Sequence, residues 1–258
     1  MTELTREVPD LHLEAALDVI ESERAILTTE IEAFEEFLDV VESVTPTSTA
    51  GSGLPPVQSQ TAGTDPFQTL RAGYESSVMA VPHYEAEYGE SFETSARTEF
   101  GPDIATLLTT GRVFEQHHKQ AVIVAAEESI EQRQRLLGAI DEEHASLERL
   151  RDPVQSVIDA IRSFETGTLA SDSPKLLDGY RRRIDVLESR CHDLVEQRQS
   201  DIVDDRRALS LPISGPDLPS YLYTHLPVTY PVIAPLTTVL ESAAGIGAAV
   251  RTDQSIRS

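Results

Sequence analysis

The sequence predicts an all-α protein, built as a long antiparallel helical hairpin or coiled-coil-like bundle with an N-terminal heptad helix and short packing helices. Three long stretches carry apolar residues at alternating spacings of three and four, the period of helices that pack along one seam. Proline and glycine residues concentrate between and after these stretches, where they end helices. Hydrophobic residues make up 40% of the 258-residue chain, enough for a sizeable core.

A strong negative charge accompanies this pattern. The chain has 44 acidic and 21 basic residues, a formal net charge of −23, and its only lysines are Lys119 and Lys175. In molar salt the Debye length falls to about 3 Å, so repulsion among surface carboxylates is largely screened. The composition is therefore typical of a halophilic, archaeal protein from a salt-rich cytoplasm. The lone Cys191 excludes a disulfide framework and agrees with a reducing compartment.

The first predicted element, within residues 1–42, is the heptad helix. Its seam positions are spaced strictly by four and three, and only one of them is charged. This is the a/d pattern of a coiled coil, which can fold back on its own chain or pair with a second molecule. The seam is therefore the candidate interaction surface, formed by Leu13, Leu17, Ile20, Arg24, Leu27, Ile31, Phe34 and Leu38.

Two segments of different character follow this helix. Residues 43–65 are rich in Ser, Thr, Pro and Gly and have almost no charge, which in so acidic a chain indicates a flexible linker. Residues 66–111 contain several prolines and glycines and much of the aromatic content. They predict a series of short helices.

Residues 112–209 predict the long helical hairpin. Two stretches of 3-4 spacing are separated by a short polar turn, and a short connection favours antiparallel packing. A pivot near residue 169 would place Arg133 opposite Asp205, as a salt bridge at the end of the seam. Pro153 should break or kink the first of the two helices, because proline lacks the backbone donor and clashes with the preceding turn.

Residues 210–258 predict a proline-rich segment followed by one modest apolar helix. Residues 226–250 carry a single charge, Glu241, but also three prolines. These interruptions make a membrane span a poor interpretation. Packing along the bundle or an oligomer surface agrees better with the pattern.

No catalytic, cofactor or metal site emerges from the motifs. Residues 115–118 contain one Glu-x-x-His pair, and residues 141–144 only echo it, whereas a di-iron bundle needs two such pairs and two further glutamates. Phosphate-binding glycine motifs are absent. An enzyme or metal protein would need a buried pocket lined by carboxylates and by one of these residues: His83, His117, His118 or His144.

Nucleic-acid binding has one local signal. Arg181, Arg182 and Arg183 form the only basic triplet of the sequence. Because consecutive residues point in different directions around a helix and acidic residues follow, ion pairing within the bundle is the preferred interpretation.

Two segments resemble a known family. They are the tyrosine-rich stretches 74–88 and 221–232, YESSVMAVPHYEAEY and YLYTHLPVTYPV. Together with the acidic heptad helix, they resemble a haloarchaeal domain-of-unknown-function family of acidic helical proteins. The resemblance implies a single family architecture over most of the chain. It implies no activity, so no functional residue is carried over.

The sequence therefore favours a non-enzymatic protein–protein interaction or scaffold protein, acting through the heptad helix and the linker. Its partner would be another helical protein or a second copy of the chain. The alternative is a transcription-associated or nucleic-acid-binding protein, using residues 66–111 or the arginine triplet. An enzymatic or metal-binding role is the third possibility.

Overall fold

The computed structural model describes residues 12–47, 65–166, 174–211 and 215–256, and these ranges consist of helices and their connecting turns and contain no strand. The predicted all-α fold class is thereby confirmed. Most of the predicted linker (48–64) and the predicted hairpin turn (167–173) lie outside the described residues. The described helices are α1 (Leu13–Ser43), α2 (Pro66–Ser76), α3 (Tyr84–Glu87), α4 (Phe92–Thr110), α5 (Gln116–Thr166), α6 (Pro174–Ala208), α7 (Leu218–Leu222) and α8 (Ile233–Ile256).

The chain divides into two compact units. One comprises Arg24–Leu137, and the other comprises Met1–Glu23 together with Gly138–Ser258. Both long helices α1 and α5 contribute residues to each unit, because the boundaries fall inside them. We call these units the central unit and the terminal unit and describe each by itself.

Aromatic rings form the centre of the central unit. Phe37 of α1 stacks on Phe100 of α4 with 5.8 Å between ring centroids, and Tyr74 of α2 meets these two rings edge-on at 5.2 and 5.6 Å. Tyr74 is fully buried, and its hydroxyl shares a 2.8 Å hydrogen bond with Ser95. Buried tyrosine needs such a polar partner. These contacts anchor the second half of α1 to α2 and α4.

The short helices of the central unit begin and bend where local chemistry dictates. Asp65 accepts a 3.1 Å hydrogen bond from the Phe67 N–H, and Pro66 occupies the first helical position, where its missing N–H is not needed. In α4, Gly101 has φ +82° and interrupts the helical geometry just before Pro102. Glycine adopts this left-handed conformation without steric strain. Helix α4 therefore consists of two segments joined by a kink.

Helices α5 and α6 form an antiparallel hairpin in the terminal unit. Phe164 near the end of α5 lies 6.0 Å from Tyr180 near the start of α6, and Glu143 of α5 contacts Arg198 of α6. Helix α8 packs along α6. The apolar seam of the hairpin is buried and includes Leu147, Leu150, Val154, Ile158, Ile161, Ile184, Leu187 and Cys191.

The predicted register of the hairpin is wrong. Arg133 forms its ion pairs with Glu30 and Glu99, and the predicted pair with Asp205 does not form. The polar contacts between Glu143 and Arg198 set a register whose pivot lies later in the chain. An apolar stripe repeats every seven residues, so it specifies which helix face packs but does not determine the axial register of the two helices. The buried ion pair between Glu143 and Arg198 determines the register that the apolar stripe leaves open.

The predicted break at Pro153 does not occur. Helix α5 runs without interruption from Gln116 to Thr166. The residues that follow the proline on the packed face, Val154, Val157, Ile158 and Ile161, are all buried. Tertiary packing of this apolar face outweighs the local loss of one backbone hydrogen bond, as it outweighs propensity in helices generally.

Candidate functional site

The heptad seam of α1 packs within the chain. Of its residues, Leu13, Leu17, Ile20, Leu27 and Phe34 are buried, whereas Arg24, Ile31 and Leu38 are partly buried. The sequence left open whether this helix folds back on its own chain, and the structure has it folded back. A partner therefore does not reach most of the seam in this conformation, and other surfaces have to be considered.

A long groove lies in the central unit, between α4 and the start of α5. It is shallow and widely open to solvent, with a volume of about 1180 Å³, and we call it the α4–α5 groove. Its apolar lining consists of Phe100 and Ile104 from α4 and of Ala121, Val124 and Ala125 from α5. Val124 is 41% exposed, so a large apolar side chain faces solvent in the middle of the groove.

The α5 wall of the groove is a straight helical stripe. Gln116, Gln120, Val124 and Glu128 follow one another at four-residue spacing, which keeps them on one face of a helix. At 1.5 Å per residue this stripe is roughly 18 Å long. The apolar lining lies near the middle of this stripe, around Ala121 and Val124, and polar side chains lie toward its ends. The full length of the stripe matches a segment of about three helical turns, the mode of recognition in which an amphipathic helix lies in a groove.

A buried ion-pair network lies elsewhere in the central unit, around Arg133. Its guanidinium donates to Glu30 at 2.7 Å and to the Glu99 carboxylate at 2.9 and 3.0 Å. Glu30 also accepts from His83 Nε2 at 3.0 Å and from the Tyr88 hydroxyl at 2.9 Å. We call this network the Arg133 cluster. The guanidinium carbon also lies 4.4 Å from the centre of the Phe34 ring.

The Arg133 cluster fixes the charge of its members. Burial alone would raise the pKa of Glu30, but the hydrogen bond from His83 and the positive charge of Arg133 hold it below its usual value. Burial opposes the charge of Arg133 too, yet the bonds to Glu99 and Glu30 raise its pKa. The adjoining cavity measures only about 50 Å³, which admits a few waters and no larger substrate. The cluster therefore has the properties of a structural network.

A second network is buried in the terminal unit, around Arg198. This arginine is 0% exposed and donates to Glu143, itself 0% exposed, at 2.6 Å, and to the Ser146 hydroxyl at 3.0 Å. The Tyr223 hydroxyl donates to the same Glu143 oxygen at 2.6 Å. Asp205 completes the Arg198 cluster and interacts with both charges. Glu143 Oε2, Arg198 Nε and Asp205 Oδ2 are buried and have no hydrogen-bond partner among the described residues.

Asp205 is the least satisfied member of the Arg198 cluster. Burial raises its pKa, and the nearby negative charge of Glu143 raises it further, against the attraction of Arg198, to about 7. Two carboxylates that share one arginine in a poorly solvated site do not both ionise easily. The cluster is consequently sensitive to pH near neutrality.

The substitution Asp205→Asn is expected to stabilise the protein clearly more at pH 8 than at pH 5. The folded state keeps the Asp205 proton up to about pH 7, whereas the unfolded chain releases it near pH 4. Between these values the folded state binds more protons, so wild-type stability falls as pH rises. We expect a gain of about 2–4 kcal/mol at pH 8, measured by urea unfolding. The exposed Asp193→Asn is the control, and an equal gain at both pH values would contradict the assignment.

The histidines and the cysteine do not form a site within the described residues. His117 and His118 lie at the start of α5, where His117 Nδ1 is 3.2 Å from a Glu115 oxygen and His118 Nδ1 accepts the Glu115 N–H. No group of three or more potential ligands is placed to hold a metal ion in the part of the chain that the structure describes. Cys191 is buried in the hairpin seam, and burial raises the pKa of its thiol to about 11.

The arginine triplet does not form the expected ion pairs. Arg181, Arg182 and Arg183 are all exposed on α6. Arg183 lies over the Phe164 ring at 4.7 Å, and within the described ranges Arg181 and Arg182 lie in no salt bridge with an acidic side chain. Among the described residues, Arg181 and Arg182 are thus exposed cations without an ion-pair partner, at the one basic triplet that the sequence singled out.

The sequence did not identify the apolar lining of the groove or Glu143. Ile123, Ala126 and Ile130 are spaced by three and four residues, as on one packed helix face, and Val124 falls outside that stripe. An apolar residue outside the packed stripe was the available signal, although single exposed apolar residues are common. Glu143 precedes the seam position His144, and only the true register turns its side chain toward Arg198.

The fold and the groove define an all-helical protein with an exposed apolar trough and two buried ion-pair networks. Within the described ranges, none of the helices combines the length and the apolar character needed to cross a membrane. The chain belongs to the family described as Domain of unknown function (DUF7260), whose model matches residues 11–245. The search of curated proteins gave no match, and the search of solved structures gave none either.

Proposed function

We propose that this protein is a non-enzymatic protein–protein interaction or scaffold protein that holds a helix of a partner protein in the α4–α5 groove. The observation that carries the proposal is the exposed apolar floor of the groove around Val124, Ala121 and Ile104. Exposed apolar surface in a concave site is typical of binding sites. The long stripe on α5 gives this site the length of a helix rather than of a small molecule.

The titratable clusters support a non-enzymatic role. The Arg133 cluster binds its own carboxylates and adjoins a cavity of about 50 Å³. The Arg198 cluster is buried, and Arg198 and Glu143 are 0% exposed. Neither cluster therefore presents its titratable groups at a cavity that a substrate can enter, as catalysis would need. Cytoplasmic localisation and a halophilic, archaeal source are parts of the same proposal and are supported by the composition.

The substitution Val124→Arg is expected to weaken peptide binding about tenfold or more, because it places a charge in the apolar floor. The probes are three labelled amphipathic peptides of about 16 residues with apolar side chains at i, i+3, i+4 and i+7. Their remaining positions are neutral in one peptide, basic in the second and acidic in the third. Binding is followed by fluorescence anisotropy. Val186→Arg is the matched control, since Val186 is a 60% exposed helical valine outside the groove. If no peptide binds, or if both variants bind equally, the proposed function is wrong.

Nucleic-acid binding is the second candidate function. It is favoured by Arg181 and Arg182, which are exposed and form no salt bridge in the described ranges. Arginines on one exposed helix face contact phosphates, and such binding weakens steeply with salt. The double variant Arg181→Gln/Arg182→Gln should then abolish retention of duplex DNA or RNA at low salt. Retention that is unchanged, or absent already in the wild type, would exclude this candidate.

A further inference from the structure

The charged side chains around the α4–α5 groove are acidic. Glu115 precedes α5 at one end, and Glu128 lies about 20 Å further along the helix. No lysine or arginine lines the groove within the described residues. Lys119, which is close in sequence, directs its amine to the backbone oxygens of Glu42 and Val44 at 2.6 and 3.0 Å. The groove thus combines an apolar middle with a carboxylate near each end.

Among the described residues that line the groove, the basic side chain is that of His117. His117 Nδ1 lies 3.2 Å from Glu115 Oε2, but the His117 side chain is 68% exposed. An exposed pair of this kind contributes little and is easily exchanged for a new partner. Glu128 is exposed and forms no salt bridge in the described part of the chain. Both carboxylates are therefore open to cations from a bound helix.

We infer that the helix bound in the α4–α5 groove is basic, with lysine or arginine residues about one groove length apart and apolar residues between them. The inference rests on the proposed function and names the chemistry of its partner. Complementary charge selects partners and speeds encounter more than it adds affinity. The protein has a net charge of −23, so it repels an acidic helix through its overall charge as well as through the two groove carboxylates.

The same peptide panel tests this inference. At about 0.1 M KCl we expect the basic peptide to bind roughly five- to tenfold tighter than the neutral one, and the acidic peptide to bind weakest. At about 1 M KCl the advantage of the basic peptide should shrink, because the Debye length falls from about 10 to about 3 Å. Binding of the neutral peptide should change much less.

A charge reversal at the groove gives the sharper test. The double variant Glu115→Lys/Glu128→Lys should invert the order, so that the acidic peptide binds better than the basic one. The control is Glu127→Lys/Glu131→Lys, which makes the same change of net charge at two exposed positions of α5 that do not line the groove. The control should keep the wild-type order.

The outcomes separate the inference from the proposed function. Equal binding of neutral and basic peptides, or the same inversion in both double variants, would overturn the basic-partner inference while the groove remained a helix-binding site. A native dimer that dissociates in Val124→Arg, measured by light scattering, would assign the groove to a second copy and overturn the inference. Peptide binding that appears only after residues 48–64 are replaced by a Gly/Ser linker would assign the groove to that segment of the chain and would also overturn the inference.

Discussion

Replacing Glu143 by glutamine is expected to lower the free energy of unfolding by about 3 kcal/mol at pH 5. Glutamine keeps the shape and can still accept from Tyr223 and Arg198, but it removes the only full charge bonded to a completely buried guanidinium. Removing one partner of a buried ion pair leaves an uncompensated charge and costs ~3–5 kcal/mol. The remaining hydrogen bonds place the expectation at the low end of that range. Urea unfolding followed by far-ultraviolet circular dichroism measures it.

The loss should be smaller at pH 8 than at pH 5. In the wild type, burial and Glu143 together raise the pKa of Asp205 to about 7. Once Glu143 is neutral, the repulsion disappears and Arg198 attracts the charged form of Asp205, so its pKa falls. At pH 8 an ionised Asp205 then compensates Arg198, and the variant also loses the repulsion that weakens the wild type at this pH.

Two variants serve as controls for Glu143→Gln. Glu142→Gln changes the neighbouring exposed glutamate of the same helix and should cost less than about 0.5 kcal/mol. At pH 5 the double variant Glu143→Gln/Arg198→Met should be less destabilised than the sum of its single variants, because Asp205 is protonated there and the cluster keeps no buried charge. Strict additivity, or an equal loss in Glu142→Gln, would show that the pair is not coupled as the structure indicates.

The parts of the fold that the sequence specified are those with helical periodicity. The strict heptads from Leu13 to Val41 and the stripe through Ile184, Leu187 and Cys191 identify the buried faces of α1 and α6 correctly. Periodicity defines a face, and burial follows from it. Arg198 is a charged residue that follows this apolar stripe on α6 at helical spacing, and it lies at the centre of a buried network.

The contacts of these faces could not be derived in the same way. A heptad seam packs equally well against its own chain or against a partner, so the burial of Phe34 against Tyr74 and Phe100 was not determined by α1 alone. The register of the hairpin depended on Glu143, whose role appears only when two helices are placed together. The groove depends on the separation of two helices, and no local pattern encodes a distance of this kind.

Replacing Arg133 by methionine is expected to destabilise the protein by about 3–5 kcal/mol at pH 8, and by less at pH 5. The variant leaves the carboxylates of Glu30 and Glu99 close together without a cation, and the Glu30 side chain is only 7% exposed. Burial then raises the pKa of Glu30 unopposed by Arg133. Protonation relieves the repulsion at low pH, whereas at pH 8 the folded state has to keep two facing charges.

The exposed Arg135→Met is the matched control for Arg133→Met, because Arg135 lies two residues further along the same helix and forms only a 3.3 Å bond to the Glu131 carbonyl. It should change stability by less than about 0.5 kcal/mol.

The two clusters thus respond to pH in opposite directions. Losing the cation of the Arg133 cluster destabilises the protein most at high pH, and losing the Glu143 charge destabilises it most at low pH. This contrast follows from the sign of the charge that each substitution leaves behind. Losses that share one pH dependence would refute the assignment of charges to at least one cluster.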